Sequence, residues 1–136
     1  GARDSLGAAA LNGKIYVCGG DTGDGPDQKF LSSAEVFDPT TGMWSPIANM
    51  SMARNSMGAA VRNGKIYVLG GYGNGAVQNS VEMFDPATGM WSAVANMSTA
   101  RHWPAATSLN GELYAVGGDN GNPAHPVVYK SAEAFR

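Results

Sequence analysis

A nine-residue phrase occurs three times in this chain of 136 residues and limits its possible folds more than any other feature. It reads NGKIYVCGG at 12–20, NGKIYVLGG at 63–71 and NGELYAVGG at 110–118. Asn-Gly is the strongest short signal for a β-hairpin, because both residues tolerate the positive φ of a type I′ turn. Segments of strand length flank each turn, so each copy predicts two antiparallel strands, the second ending at Gly-Gly.

The phrase lies within a longer repeat. The Gly-Gly pairs begin at Gly19, Gly70 and Gly117, and the spacings between them are 51 and 47 residues. When 3–53 is aligned on 54–100 with one gap of four residues, 28 of 47 positions are identical. A repeat of about 50 residues is the length of a four-stranded propeller blade.

The second half of each repeat predicts two more strands. The segments SSAEVFDPTTGMWSPIANM (32–50) and NSVEMFDPATGMWSAVANM (79–97) each read as strand, turn and strand. Asp-Pro begins the turn, and Gly42 or Gly89 supplies its positive-φ residue. Together with the Gly-Gly pair, the DPxTGxW pattern resembles the kelch-repeat family over essentially the whole chain. Phe37, Phe84 and Phe135 depart from the tyrosine that is common in the family.

This resemblance implies an all-β fold, a kelch-type β-propeller with about three four-stranded antiparallel blades. The predicted blades are 1–53, 54–100 and 101–136, and the third lacks its outer strand because no third DPxTGxW motif follows SAEAFR. Strands converge toward a propeller axis, which fits the small side chains of GAAAL, GAAVR and PAATSL as inner strands. The second strand of each blade is apolar, as expected for a strand covered on both faces.

Several residues recur once per repeat and are predicted to be structural. We expect Trp44 and Trp91 to cover the seams between blades. Arg3, Arg54 and Arg101 precede the inner strands, and each pairs by repeat position with a glutamate of the third strand. These charges form either a ring for a ligand or structural hydrogen bonds at strand ends, with the structural interpretation favoured for the glutamates. The structural set is Gly19, Gly20, Gly70, Gly71, Gly117, Gly118, Glu35, Glu82, Glu133, Trp44 and Trp91.

The variable segments predict where a partner binds. Connections after strands two and four share one rim, and there the repeats differ most: DTGDGPDQKF, YGNGAVQN, DNGNPAHPVVYK and RHWP. Variable loops on a rigid scaffold commonly form binding surfaces, although they are also tolerated as variation in length. The candidate binding residues are Tyr72, Arg54, Arg101, His102, Trp103, His125 and Tyr129.

No chemical centre is predicted. His102 and His125 lack metal-ligand spacing, Cys18 is aligned with hydrophobic residues in the other repeats, and the aspartates of DTGDGPD lack the spacing of a calcium loop. We therefore predict no catalytic residue, metal or cofactor, and a scaffold that binds a protein or a small polar ligand. The alternative that the resemblance implies is part of a propeller enzyme, either a copper-radical oxidase or a sialic-acid mutarotase, whose active residues lie mostly outside this chain.

Composition narrows the partners further. The net charge of −2 and the absence of a basic patch predict no nucleic-acid binding, and no apolar run has membrane-spanning length. The single cysteine leaves the compartment undecided. Three blades are about half of a kelch ring and leave two apolar blade faces open. The sequence therefore predicts a two-fold homodimer that forms a six-bladed ring, and the competing interpretation is a fragment of a longer chain.

Overall fold

The computed structural model describes residues 1–135, and over these residues it contains thirteen β-strands and no helix. Arg136, the last residue of the predicted third blade, lies outside the described residues. The strands are β1 Gly7–Leu11, β2 Lys14–Cys18, β3 Ala34–Asp38, β4 Met43–Ile47, β5 Gly58–Arg62, β6 Lys65–Leu69, β7 Tyr72–Gly73, β8 Ala76–Val77, β9 Val81–Asp85, β10 Met90–Val94, β11 Ala105–Leu109, β12 Glu112–Val116 and β13 Ala132–Phe135.

Three antiparallel sheets form the scaffold, and the predicted all-β fold is confirmed. The first has the order β1-β2-β3-β4, the second β5-β6-β9-β10 and the third β11-β12-β13. Each sheet lies within one of the three predicted segments, and we call them blades 1, 2 and 3. The inner strands β1, β5 and β11 are neighbours in space, because β5 contacts both of the others. The blades therefore stand side by side around one axis.

The turns within the blades follow from residues that tolerate positive φ. Asn12 and Gly13 have φ values of 52° and 74°, as a type I′ turn requires, and they join β1 to β2 with Leu11 opposite Lys14. The Asp-Pro turn of blade 1 has φ 70° at Gly42. Asp38 Oδ1 accepts a hydrogen bond of 2.9 Å from Thr40 N and fastens the start of that turn.

A small hairpin, β7–β8, was missed by the sequence analysis. Its turn residues are Asn74 and Gly75, with φ values of 51° and 77°. Gln78 Nε2 donates to Gly73 O at 2.7 Å and holds the hairpin against the rest of the loop. The signal was the same Asn-Gly pair, here flanked by strands of only two residues.

The Gly-Gly pairs of blades 1 and 2 lie where the backbone of the next blade passes. Gly70 and Gly71 both have positive φ, 67° and 85°. A Cβ atom on Gly70 would stand 2.6 Å from Arg101 O, and Gly71 N donates to that same carbonyl at 2.8 Å. Gly20 N donates to Arg54 O in the same way, also at 2.8 Å. The glycines are therefore needed both for their φ and for the contact between blades.

Apolar side chains fill the two seams between the blades. Val68 and Leu69 of β6 point to opposite seams, and both are fully buried. The seam between blades 1 and 2 contains Tyr16, Cys18, Ala34, Met50, Met57, Ile66, Val68 and Phe84. The seam between blades 2 and 3 contains Ala60, Tyr67, Leu69, Val81, Met97, Leu113 and Ala115. Blade 2 is thus covered on both faces, whereas blades 1 and 3 each have one open face.

The two tryptophans of the outer strands differ in their surroundings. Trp91 packs against blade 1, and its Nε1 donates to Ala48 O at 2.7 Å, so it does cover a seam. Trp44 is 50% exposed and stacks only on Phe37 of its own blade, 5.1 Å between ring centroids. Trp44 therefore covers no seam within the described residues, which include no blade on that side, and its predicted role stays a prediction.

Candidate functional site

The antiparallel order of the strands assigns every connection to one of two rims. We call the variable rim the connections from strand two to strand three (19–33, 70–80 and 117–131) together with the residues that precede each inner strand (3–6, 54–57 and 101–104). The opposite rim carries the Asn-Gly turns and the Asp-Pro turns. The variable rim contains all seven candidate binding residues.

A row of backbone hydrogen bonds crosses the seams at the variable rim. Ser56 N donates to Ser5 O, and Trp103 N donates to Ser56 O, each at 2.8 Å. These three residues occupy the same position in their blades, and all have left-handed backbones, with φ between 51° and 54°. A non-glycine residue with positive φ is uncommon, and a tryptophan there is more unusual than a serine. The hydrogen bonds hold Trp103 in this conformation.

Blade 3 forms a pocket on this rim beside His102. The pocket has a volume of about 340 Å³, and two prolines and a valine supply much of its apolar surface. His102 Nδ1 lies 2.9 Å from Asp119 Oδ1. The carboxylate can accept a hydrogen bond from Nδ1, and this contact fixes the orientation of the ring on the rim. The lining residues are His102, Asp119, Asn120, Gly121, Asn122, Pro123, Pro126 and Val128.

Side-chain hydrogen bonds hold the loop that forms the pocket. Asp119 Oδ1 also accepts a hydrogen bond from Gly121 N at 2.7 Å. Asn120 Oδ1 accepts from Val127 N at 3.0 Å, and Asn120 Nδ2 donates to His125 O at 3.0 Å. Asn122 Oδ1 accepts from the backbone N–H groups of residues 124 and 125. Asn and Asp favour such local bonds, and here they order a long connection that has no strand of its own.

Trp103 stands exposed next to this pocket. Its side chain is 61% exposed, although it is a large apolar ring. The ring packs against His102, with 4.8 Å between centroids and 43° between planes. An exposed aromatic ring with a fixed backbone offers contact area at a small entropic cost. The predicted pair His102 and Trp103 is therefore brought together at one accessible place.

Asp21 forms a second polar contact on the rim, across the seam between blades 1 and 2. It is 2% exposed and accepts hydrogen bonds from Asn55 Nδ2 at 2.7 Å and from Gly23 N at 2.8 Å. Burial alone would raise the pKa of this carboxyl, but the hydrogen bonds outweigh it and lower the pKa below its usual value. Asp21 therefore stays ionised and joins the two blades.

Arg54 and Arg101 belong to the variable rim by position but are buried beneath its surface, which corrects their prediction as binding residues. Both are 1% exposed. Arg54 donates to Gly70 O at 3.0 Å and to Ser80 O at 3.1 Å, and its Nη2 pairs with Glu82 at 3.0 Å. Arg101 makes the equivalent bonds in blade 3. Both guanidinium groups are buried against strand ends of their own blades, so they cannot meet a partner.

The glutamates link each blade to the chain that enters it. Glu82 Oε1 accepts from Ser51 N at 2.8 Å, and Glu133 Oε1 accepts from Ser98 N at the same distance. Ser51 and Ser98 belong to the connections that lead from one blade into the next. Glu35 lies in the same position in blade 1 and pairs with Arg3 at 3.4 Å. These contacts are those of structural residues.

The remaining candidates are spread along the rim. Tyr72 makes an edge-on contact with Phe30 across the seam, with 5.6 Å between ring centroids, and is half-buried. Tyr129 is also half-buried, because its ring covers the guanidinium of Arg101 at 5.4 Å. His125 is exposed at the tip of the pocket loop. Accessible area is therefore concentrated at Trp103, His125 and the pocket.

Cys18 and the carboxylates give no sign of a reactive or metal-binding centre. Burial raises the pKa of the Cys18 thiol to about 12, so the nucleophilic thiolate is scarce at neutral pH. Within 1–135, no three His, Cys, Asp or Glu side chains lie close enough to hold a metal ion together. The same part of the chain has no helix that is long and apolar enough to cross a membrane.

The polar residues that shape the rim were not among the predicted site residues. Asp119, Asn120 and Asn122 form the pocket loop, and Asp21 and Asn55 join two blades. One signal was available, because an aspartate follows the Gly-Gly pair in both blade 1 and blade 3. Its partners depend on the packing of strands and could not be read from the spacing.

The blades and their rim define the class of this chain. Four-stranded antiparallel sheets that stand face to face around an axis, joined from outer strand to next inner strand, form a segment of a β-propeller. The family model described as the KLHDC2/KLHL20/DRC7 Kelch-repeats domain matches residues 1–127. The chain belongs to the kelch-repeat family.

Similar proteins include kelch proteins of plants and animals. The chain is 43% identical over 79 residues to the F-box/kelch-repeat protein At1g67480 of Arabidopsis thaliana, a match that covers 58% of this chain and 20% of that protein. It is 38% identical over 70 residues to Kelch-like ECH-associated protein 1B of Danio rerio, covering 51% and 12%. It is 41% identical over 63 residues to human Kelch-like protein 30, covering 46% and 11%. The matches thus span a fifth or less of these relatives.

Proposed function

We propose that this chain is a binding module that contacts a segment of a partner protein through the variable rim. Kelch repeats in Kelch-like and F-box/kelch proteins are protein-interaction modules. The observation that carries the proposal is Trp103, an exposed ring in a left-handed backbone beside the pocket of blade 3. Such a backbone costs on the order of 1 kcal/mol or more of folding free energy. An exposed ring buries little apolar area, so it does little to offset that cost. A partner that covers the ring would bury its apolar surface, and the ring would then contribute to binding.

The pocket supports a protein segment over a small polar ligand. Pro123, Pro126 and Val128 line it together with the edge of His102, which suits one apolar side chain of a partner. The His102–Asp119 pair adds one polar group beside it. Interfaces usually depend on a few such anchors, among which aromatic residues are frequent. We therefore expect Trp103 and His102 to contribute most of the binding energy.

A peptide library displayed on phage tests this proposal directly. Peptides enriched on the 136-residue chain are synthesised and titrated against the wild type and Trp103→Ala by fluorescence polarisation. Trp103→Ala should lower the affinity at least tenfold, because loss of an aromatic anchor costs about 2 kcal/mol or more. The variant should fold normally, since the ring is exposed.

The opposite rim offers the control. Met43 is an exposed apolar residue beside the Asp-Pro turn of blade 1, 64% exposed. Met43→Ala should leave the affinity of the same peptides unchanged. Peptides that bind Trp103→Ala as well as the wild type, or that lose binding only in Met43→Ala, would overturn the proposal.

The enzyme alternative has no support among the described residues, and we do not propose it for this chain. The copper-radical oxidases implied by the resemblance need a metal set, and residues 1–135 bring no such group together. The pair of His102 and Asp119 lies on an open rim and serves the pocket loop.

We also propose that two copies of this chain associate through the open faces of blades 1 and 3. The open faces carry large apolar residues, with Leu109 61% exposed and Ile15 and Val116 each 42% exposed. Ile15 and Val116 occupy the repeat positions of Ile66 and Leu69, which are buried in the existing seams. On the open face of blade 1, the pairs by repeat position are Leu6 and Met57, Ala8 and Ala59, Ile15 and Ile66, Val17 and Val68, Phe37 and Phe84, and Trp44 and Trp91.

The open face of blade 3 also carries residues at repeat positions that are packed in an existing seam. Val116 and Tyr114 of blade 3 occupy the positions of Leu69 and Tyr67, which pack against blade 3 from blade 2. A second copy can therefore place its blade 1 against blade 3 with contacts like those already present. Each open face measures roughly 300 Å² in projection, so two seams bury about 1,200 Å², the lower end for a specific interface. We expect a dimer that dissociates at low concentration.

Light scattering after size exclusion tests the association. At tens of micromolar the chain should have twice its mass of 14.0 kDa. Ile15→Glu places a charge in the proposed seam and should give a monomer, whereas Lys14→Glu, one residue away on the turn, should not. A stable wild-type monomer at these concentrations, or a dimer of Ile15→Glu, would contradict the proposal.

A further inference from the structure

We infer that the segment bound at the variable rim is basic, with lysine or arginine residues around one apolar residue. This inference rests on the proposed function and adds the chemistry of the partner. Its first observation is the distribution of charge. Apart from the three arginines, which pair with glutamates, the variable rim carries five aspartates against two lysines, and the three net negative charges lie on blade 1; these residues are Asp4, Asp21, Asp24, Asp27, Asp119, Lys29 and Lys130.

The rest of the described chain is close to neutral. Each of the three repeated arginines pairs with the glutamate of its own blade. On the opposite rim, Lys14 lies 4.0 Å from Asp38 and Lys65 lies 3.8 Å from Asp85. Arg62 and Glu112 balance each other in number. Because the whole chain has a net charge of −2, the negative field of the molecule comes from the variable rim.

Two of the rim carboxylates are free to meet a partner. Asp21, Asp119 and Asp4 already accept hydrogen bonds, from Asn55, His102 and Ser5 N in turn. Asp24 and Asp27 are exposed and make no hydrogen bond or ion pair with another described residue. Two exposed carboxylates in one loop attract cationic side chains at little desolvation cost.

Trp103 on the rim also favours cationic side chains. The face of an exposed tryptophan attracts the ammonium or guanidinium group of a ligand, worth about 0.5–1 kcal/mol at an exposed site. Trp103 is such a ring, and the apolar pocket lies next to it. An acidic segment would be repelled by the field of the rim, and an uncharged one would use only the pocket. A basic segment with one leucine or proline uses all three features if it extends from the pocket of blade 3 to the loop of blade 1.

Two synthetic peptides of seven residues test the inference. One has four lysines around a central Leu-Pro-Leu, and in the other every lysine is replaced by glutamate. By titration calorimetry at 50 mM salt, the basic peptide should bind the 136-residue chain at least tenfold more tightly than the acidic one. The difference should shrink several-fold at 500 mM salt, since the charges are exposed.

Two double variants locate the effect. Asp24→Asn with Asp27→Asn should weaken binding of the basic peptide about threefold or more. Asp38→Asn with Asp85→Asn makes the same change in net charge on the opposite rim, and each asparagine keeps the Oδ1 that fastens its turn. This control should leave the affinity unchanged. Equal binding of both peptides, or equal weakening by both double variants, would overturn the inference.

The outcome separates this inference from the proposed function. If library peptides lose binding in Trp103→Ala but are acidic or uncharged, the rim binds a partner and the basic chemistry is wrong. If peptides bind the chain and ignore Trp103→Ala, the proposed function itself fails. Basic peptides that depend on both Trp103 and the pair Asp24 and Asp27 would support both.

Discussion

Buried arginines hold the strand ends at the residue scale. In blade 2, the guanidinium of Arg54 is buried. It donates hydrogen bonds to two backbone carbonyls and to one carboxylate. Burial lowers the pKa of Arg54, and Glu82 opposes that shift. Removing one partner of such a pair leaves a buried charge, at a cost of about 3–5 kcal/mol. Repetition of this pair in every blade therefore reflects folding and not recognition.

A Cβ atom at Gly70 should destabilise the chain more than one at Gly64. Both glycines have φ near 70°, so alanine meets the same backbone strain at each, about 1–2 kcal/mol. Only at Gly70 does the new atom also approach a carbonyl, Arg101 O at 2.6 Å, whereas Gly64 faces open space. We expect a further loss of about 1–3 kcal/mol for Gly70→Ala, measured by urea denaturation. Equal losses would show that the close approach has no energetic role.

Stability should fall in acid partly because of Glu133. Burial raises the pKa of this carboxyl, but hydrogen bonds from Ser98 and the charge of Arg101 outweigh it, and the pKa lies below its usual 4.5. The unfolded chain therefore takes up the proton first as pH falls. The stabilisation is present above about pH 4.5 and is lost as pH drops through the folded pKa. Urea denaturation between pH 7 and pH 3 measures this loss.

Two substitutions separate Glu133 from the other carboxylates. Glu133→Gln should flatten the pH dependence in the acid range and lower stability at pH 7. Asp27→Asn removes an exposed carboxylate without hydrogen bonds and should leave the curve unchanged. A wild-type pH profile in Glu133→Gln would mean that the contacts of Glu133 do not favour its ionised form.

At the scale of elements, the outer strands show what a neighbouring blade contributes. Trp91→Ala removes a ring that packs against blade 1 and leaves Ala48 O without its donor. We expect a loss of about 3 kcal/mol, the low end for a large ring in a seam. Trp44→Ala at the same repeat position should cost about half of that or less, because the ring is half exposed. Both are compared at a concentration at which the chain is monomeric, and equal losses would contradict the assignment.

Elements set by local chemistry could be predicted from sequence, and those set by packing could not. The Asn-Gly turns, the Asp-Pro turns and the strands between them follow from residues a few positions apart. The same reasoning failed at β7–β8 only because its strands are very short. Burial of Arg54, exposure of Trp44 and the pairing of His102 with Asp119 depend on which strands become neighbours. Of the site, the rim and its aromatic residues were predicted, but the pocket was not.

At the scale of the whole molecule, blade 2 should be the most stable part. β6 is hydrogen-bonded on both edges and covered on both faces, and Val68 and Leu69 are fully buried. The equivalent strands β2 and β12 each have one face on an open side. Opening free energies follow such burial, so amide hydrogens of β6 should exchange at least tenfold more slowly than those of β2 and β12 in the monomer. Equal protection of all three would mean that the blades open together.

The backbone hydrogen bonds between blades are repeated at both seams, and this has a consequence for how such a chain can grow. Blade 1 donates from Gly20 N to Arg54 O, and blade 2 donates from Gly71 N to Arg101 O. Blade 2 thus presents a donor on one side and an acceptor on the other, so a second copy of 54–100 placed after the first would meet contacts that already exist. Tandem duplication of the gene segment that encodes these 47 residues would then add one blade that packs by existing contacts, without further substitutions. Duplication of any part of it would leave half a seam without its counterpart.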